Sequence, residues 1–165
     1  MKAILPVSEL GFISEADRSF IAAFDGAMKS LGYEMDGGLR DGFCWGKHML
    51  VYVKSGVKSK KSYARVYIRE NEVVLRMYFS NVDRHRAYIE ASPVHIKDAF
   101  TREHGTCGHC HNEKEGKCSH RKAYILDGTP YEKCDGFTFE FWQPEQSKIP
   151  DYVAVFTEFY PSKTK

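Results

Sequence analysis

The sequence predicts an α+β fold, with a central antiparallel sheet, packed helices and a zinc-bound hairpin insert that has four cysteine ligands. Three observations predict it: apolar alternation in the middle of the chain, helical apolar spacing near both ends, and four cysteines within residues 107–134. With 165 residues, 42% of them apolar, the chain is long enough to form its own hydrophobic core. We expect a single domain over residues 1–165, with a zinc-binding subregion at about 103–135.

Apolar residues at helical spacing predict one helix over residues 14–31 and a closing helix over residues 149–160. Ser14 and Asp17 have the spacing of a capping box, so the first helix should begin there. Gly32 suits the left-handed backbone position that follows a last helical turn. Both helices have one apolar stripe, which predicts that they pack against the sheet.

The middle of the chain predicts strands and two short helices. A tight connection at Asn71 indicates a hairpin between the second and third strands. The first short helix should be capped by Asp83 and end near residue 91, and the second, over residues 92–102, should have Ser92 as its N-cap. The strands are expected at residues 48–54, 62–69, 73–80 and around 137–141.

Four cysteines have the spacing of a metal site. Cys107 and Cys110 form a Cys-Gly-His-Cys turn, Cys118 follows after seven residues, and Cys134 follows after fifteen more. A turn of two residues between thiolates allows both to bind one ion, and four sulfur ligands suit tetrahedral Zn²⁺. We therefore expect one structural zinc ion as the cofactor.

A hairpin brings the two distant cysteines together. Asp127-Gly128 is a two-residue turn signal between two short strands. In the register that this turn sets, Leu126 faces Thr129, Lys122 faces Lys133, and Arg121 faces Cys134. Cys118 lies only three residues before Arg121, so both cysteines should reach the same end of the hairpin.

Other interpretations of the cysteines remain open. Cys107-Gly108-His109-Cys110 also matches a disulfide-isomerase redox motif, and Cys107 to His111 matches a c-type haem attachment sequence. Free or disulfide-bonded cysteines are a further alternative. A nearby histidine can replace one thiolate or act as an outer hydrogen-bond donor; the candidates are His109, His111 and His120. Cys44 is too remote in sequence to assign, and a buried apolar role is expected for it.

Tyrosine and arginine alternate along the predicted strands and indicate a candidate ligand face. We expect these side chains to share the outer face of the sheet, where they would stack on planar groups and bind anions, or stabilise the sheet through cross-strand contacts. The candidate residues are Tyr52, Tyr63, Arg65, Tyr67, Arg76 and Tyr78.

Charge is unevenly distributed along the chain. Residues 40–69 contain eight lysines and arginines and one acid, whereas residues 127–160 contain seven acids and two lysines. A basic segment with interleaved aromatic residues is a feature of nucleic-acid binding. The formal net charge of +2 argues against a dedicated nucleic-acid binder.

These features favour a zinc-stabilised, non-catalytic binding module for a small molecule or a protein partner. The alternatives are a nucleic-acid-binding protein that uses the basic residues 40–69, and an enzyme of unidentified class. The sequence contains no phosphate loop, no Gly-x-Ser-x-Gly motif and no His-Glu-x-x-His motif. The start of the sequence is unlike a signal peptide, and no apolar stretch has the length of a membrane span. We therefore expect a cytoplasmic protein that does not enter a membrane.

Overall fold

A computed structural model of the chain describes residues 11, 13–41, 48–70, 72–102, 122–133 and 138–161. The chain divides into two compact units, with Met1–Met77 and Glu140–Lys165 in unit 1 and Tyr78–Phe139 in unit 2. The fold is α+β, and the strand pairs with a defined register are antiparallel, as the sequence predicts. The prediction of one domain stays a prediction.

Within the described ranges, eight strands form two sheets. The larger sheet has the order β1-β3-β4-β5-β8, with β2 as a second partner of β3, and β6 pairs with β7 in a separate hairpin. The strands are β1 Tyr33–Met35, β2 Arg40–Asp41, β3 His48–Lys54, β4 Ala64–Ile68, β5 Val73–Tyr78, β6 Lys122–Leu126, β7 Thr129–Lys133 and β8 Thr138–Trp142.

Two α-helices of unit 1 agree with the predicted helices at the two ends of the chain. They are α1 Glu15–Ser30 and α4 Ile149–Phe159. Ser14 caps α1 by accepting a hydrogen bond from the Asp17 backbone N–H at 3.1 Å, and Gly32 takes the left-handed conformation (φ +89°) just past its end. The short strands β1 and β2, on either side of Gly37, were not predicted from the sequence.

Aromatic rings form much of the core of unit 1. Phe24 of α1 meets Tyr52 of β3 edge to face, and Tyr152 of α4 contacts both Phe20 and Phe141. All five side chains are buried. Burial of each such side chain contributes roughly 1.5–3 kcal/mol, so these contacts hold α1 and α4 on one face of the sheet.

Unit 2 contains α2 Arg86–Glu90, α3 Val94–Thr101 and the β6–β7 hairpin, with a 3-10 helix at Val82–His85. Phe79, Phe100 and Phe139 stack in its core, with ring centroids 4.5 to 6.2 Å apart. The ring of Tyr124 in β6 packs against Phe139, and its hydroxyl donates a hydrogen bond to the Phe100 carbonyl. The hairpin is therefore packed on the helical part of this unit.

The predicted caps of the two middle helices are wrong. Asp83 lies inside the 3-10 helix and caps nothing, because its carboxylate accepts from Arg86 and from the Ile125 backbone N–H. Ser92 donates its hydroxyl to the Tyr88 carbonyl in the preceding helix, so Pro93 occupies the N-cap position of α3 without a side-chain hydrogen bond. In both cases a local partner competes successfully for the polar side chain.

None of the helices in the described part of the chain combines the length and the apolarity that crossing a bilayer requires.

Candidate functional site

The β6–β7 hairpin has the predicted register. Leu126 pairs with Thr129 and Lys122 pairs with Lys133. Both turn residues have positive φ, +49° at Asp127 and +76° at Gly128, as a two-residue turn of the primed type requires. Asp-Gly is favoured in this turn because glycine and aspartate adopt left-handed backbone conformations more readily than most residues.

Acidic and basic side chains of the helices fix the turn end of the hairpin. The Asp127 backbone N–H donates to the Glu90 carboxylate at 2.8 Å, and the Asp127 carboxylate binds Lys97 Nζ at 2.7 Å. Two residues before the turn, Ile125 N–H donates to Asp83 at 3.3 Å. Hydrogen bonds from Arg86 and then Ile125 lower the pKa of Asp83. The other end of the hairpin, where Lys122 pairs with Lys133, is called its open end.

The predicted metal ligands lie outside the described residues. In the sequence, Cys134 directly follows Lys133, and Cys118 precedes Lys122 by four residues. Cys44 and the residues of the cysteine segment are likewise outside the described ranges; these are Cys107, Cys110, Cys118, Cys134, His109, His111 and His120. Among the residues that the structure does describe, no group of three or more His, Cys, Asp or Glu could hold a metal ion.

Part of the predicted ligand face shares one side of the sheet. Arg65 pairs with Val51 on one neighbouring strand and with Arg76 on the other, and Tyr67 pairs in the same way with Met49 and Val74. We call this set the Arg65 face: Met49, Val51, Val53, Arg65, Tyr67, Val74 and Arg76. Tyr78, the last residue of β5, is half-buried.

Most of the Arg65 face is buried, although the sequence predicts an open outer face; Arg65 itself is half-buried. Tyr67 is 2% exposed and Arg76 is 8% exposed. The Arg76 guanidinium lies 4.9 Å from the Tyr67 ring centroid and 3.2 Å from the Glu140 carboxylate, which is 6% exposed. These polar groups stabilise one another inside the protein, so Tyr67 and Arg76 offer no platform for a ligand.

Two predicted members of the face lie elsewhere. Tyr52 pairs with Ala64 on the opposite side of the sheet, where it is fully buried and its hydroxyl contacts the Asp25 carboxylate at 3.3 Å. Burial is the main cause that raises the pKa of Tyr52. Tyr63 precedes β4 and packs edge to face against Tyr33 and Tyr160, with ring centroids 5.0 Å apart in each pair. Their placement on the outer face is a wrong prediction.

Arg65 lines an open cleft of about 530 Å³ in unit 1. Its guanidinium donates to the Tyr67 hydroxyl at 3.1 Å and to the Ser62 hydroxyl at 3.4 Å, which fixes its orientation. The other lining residues come from β1–β3 and from the loop before β4; they are Asp36, Arg40, Asp41, Met49, Val51, Lys60 and Ser62. Sequence reasoning missed this cleft because it depends on strands β1 and β2.

Asp36 is the centre of the charges in this cleft. Its carboxylate accepts from Arg40 at 2.6 Å through one oxygen and lies 3.3 Å from Lys60 Nζ through the other. The Arg40 guanidinium also donates to the Asp36 backbone carbonyl at 2.5 Å. The hydrogen bond from Arg40 is the largest cause that lowers the pKa of Asp36, with Lys60 acting in the same direction.

Comparison of the chain with protein-family profiles, with curated proteins and with solved structures found no match in any of the three.

Proposed function

We propose that this chain is a zinc-stabilised, non-catalytic binding module for a small molecule or a protein partner. Cys107, Cys110, Cys118 and Cys134 would hold one structural Zn²⁺ at the open end of the β6–β7 hairpin. The pairing of Lys122 with Lys133 is the observation that carries the proposal, because Cys134 comes next in the sequence and Cys118 is four residues from Lys122.

The chemistry of four thiolates supports a structural role for the metal. Four sulfur ligands complete the tetrahedral shell of zinc and leave no position for a reacting water molecule. Zinc binding in zinc-finger peptides supplies roughly 10–16 kcal/mol. A reducing compartment such as the cytoplasm would keep the thiols available for the metal. The proposed zinc would therefore order the cysteine segment rather than act on a substrate.

Local ion pairs support the proposal of ligand binding, rather than nucleic-acid binding, for the basic residues 40–69. Acids that flank this segment pair with three of its cations: Asp36 with Arg40 and Lys60, and Glu72 with Arg69 at 3.2 Å. Because the excess of positive charge is partly neutralised locally, less of it remains for a phosphate backbone. The remaining cation of the cleft, Arg65, lies beside the apolar side chains of Met49 and Val51, a combination that supports a small-molecule site.

Chelation of the purified chain tests the proposal. We expect a strong zinc chelator to lower the melting temperature, and added Zn²⁺ to restore it, because metal binding and folding of the segment are coupled. The Cys118→Ser variant should melt at the chelated value whether or not zinc is present. The matched control is Cys44→Ser, which should keep the full response to chelation. A melting temperature of the unmodified chain that changes with neither chelator nor zinc would contradict the proposal.

A further inference from the structure

Two cations from separate segments meet at one carboxylate in the cleft of unit 1. Arg40 is the first residue of β2, and Lys60 belongs to the loop before β4, yet each contacts a different oxygen of Asp36. Arginine and lysine are the side chains with which proteins commonly bind carboxylate and phosphate groups. The position of the Asp36 carboxylate is therefore a position that favours an anion.

A third cation of the same cleft is oriented by hydroxyl groups. The Arg65 guanidinium donates to the hydroxyls of Tyr67 and Ser62. The residues that line the cleft thus include three cations and two carboxylates, Asp36 and Asp41. An oriented guanidinium binds an oxyanion with little loss of side-chain freedom, because its rotamer is already fixed.

The cleft is larger than a single carboxylate group. Its volume of about 530 Å³ lies within the range of small-molecule sites. Met49 and Val51, which are nearly fully buried, give it an apolar wall beside the charged groups. The combination suits a small organic molecule with an anionic group at one end.

We propose that this cleft binds a small molecule through a phosphate or carboxylate group, which contacts Arg40, Lys60 and Arg65 and displaces the side chain of Asp36. The inference rests on the proposed function as a binding module and names the chemical class of its ligand. Asp36 serves as an internal anion that holds the cations in place until the ligand arrives. The low pKa of Asp36 agrees with a local field that favours negative charge.

Calorimetric titration of the purified full chain at low salt tests this inference, with inorganic phosphate and acetate as probes of the two anion types. Asp36→Asn should strengthen binding about three- to fivefold, because a competing, partly exposed ion pair is removed. Arg65→Gln should weaken binding about tenfold, as expected when a charged hydrogen-bond donor is lost. Glu72→Gln is the matched control, because it changes the net charge equally but its partner is Arg69.

Each outcome of the titration has a defined meaning. Stronger binding in Asp36→Asn, with no change in Glu72→Gln, supports the inference, and the tighter of the two probes identifies the anionic group. An equal gain in both variants indicates a general charge effect and overturns it. Binding of a single-stranded oligonucleotide that grows with its length and depends on Arg65 would also overturn it, in favour of nucleic acid.

Metal analysis of the protein used in the titration separates this inference from the proposed metal site. A chain that contains zinc but binds neither anion contradicts the cleft and leaves the metal proposal standing. A chain that binds phosphate through Arg65 but contains no metal supports the cleft and contradicts the zinc site. Circular dichroism of each variant confirms that a loss of binding is not a loss of folding.

Discussion

Lys122 lies directly opposite Lys133 across the β6–β7 hairpin. The positive charge of the exposed Lys122 at this open end favours a negative charge nearby. Zinc bound by four thiolates has a net negative charge and would supply it. The proposed metal site would therefore be stabilised by the charge of Lys122.

Reversing the charge of one lysine should weaken metal binding. We expect Lys122→Glu to reduce zinc affinity by about three- to tenfold, because an attractive charge next to the thiolates becomes repulsive. The measurement is competition for zinc against a chromogenic chelator. Lys58→Glu makes the same change of net charge in the loop before β4 and should leave zinc affinity unchanged. Equal affinities in all three proteins would show that the open end of the hairpin is not near the metal.

The turn of the hairpin should tolerate only residues that accept positive φ. Gly128→Ala should lower the free energy of unfolding by about 1 kcal/mol, since alanine is disfavoured at φ +76°. Gly26 lies exposed in α1, with open space around an added Cβ, so Gly26→Ala should instead raise the free energy of unfolding by roughly 0.5–1 kcal/mol. Urea unfolding of both variants measures these opposite shifts. A stable Gly128→Ala protein would show that the turn is not of the primed type.

The buried ion pair should matter far more than an exposed one. Glu140→Ala leaves the Arg76 guanidinium in a buried site without this carboxylate, and we expect a loss of about 3–5 kcal/mol in the free energy of unfolding. Glu72→Ala removes the partner of the more exposed Arg69 and should cost less than about 1 kcal/mol. Denaturant unfolding compares the two variants. Similar losses in both would mean that the Arg76–Glu140 pair is solvated.

The contribution of Asp36 to stability should depend on pH. Its pKa in the folded protein is below the ordinary value of 3.8, so its ion pairs stabilise the protein above that value. This contribution is lost as the pH falls through the lowered pKa of the folded state. We therefore expect Asp36→Asn to be less stable than the unmodified protein at neutral pH, with the difference shrinking as the pH falls below 3.8 and vanishing below the lowered pKa of the folded state. Thermal unfolding across this range measures it, and a difference that persists unchanged in acid would argue against the Arg40 and Lys60 contacts.

The register of the hairpin was predictable from the sequence, but which residues of β3 face each side of the sheet was not. Asp127-Gly128 specifies both a turn and a register, so local chemistry determined the pairing of Lys122 with Lys133. Strand β3 is buried along both faces from Met49 to Val53, so its sequence has no alternation that could show which side Tyr52 occupies.

The cleft could not be predicted from the sequence, because it depends on contacts between segments that are distant in the chain. Strands β1 and β2 have three and two residues, and each forms by pairing with β3 rather than through its own pattern. Asp36 and Lys60 are far apart in the sequence, and their ion pair follows from that pairing. The sequence pointed to Arg65 and the basic segment, but it did not indicate that Asp36 would pair with the cations of that segment.

The zinc content of the purified full chain tests the central claim most directly. Elemental analysis of the unmodified protein, Cys134→Ser and Cys44→Ser should find one zinc per chain in the first and third proteins and a clear loss in Cys134→Ser. Absence of zinc from the unmodified protein, or full retention of zinc in Cys134→Ser, would contradict a site in which the open end of the hairpin supplies a ligand.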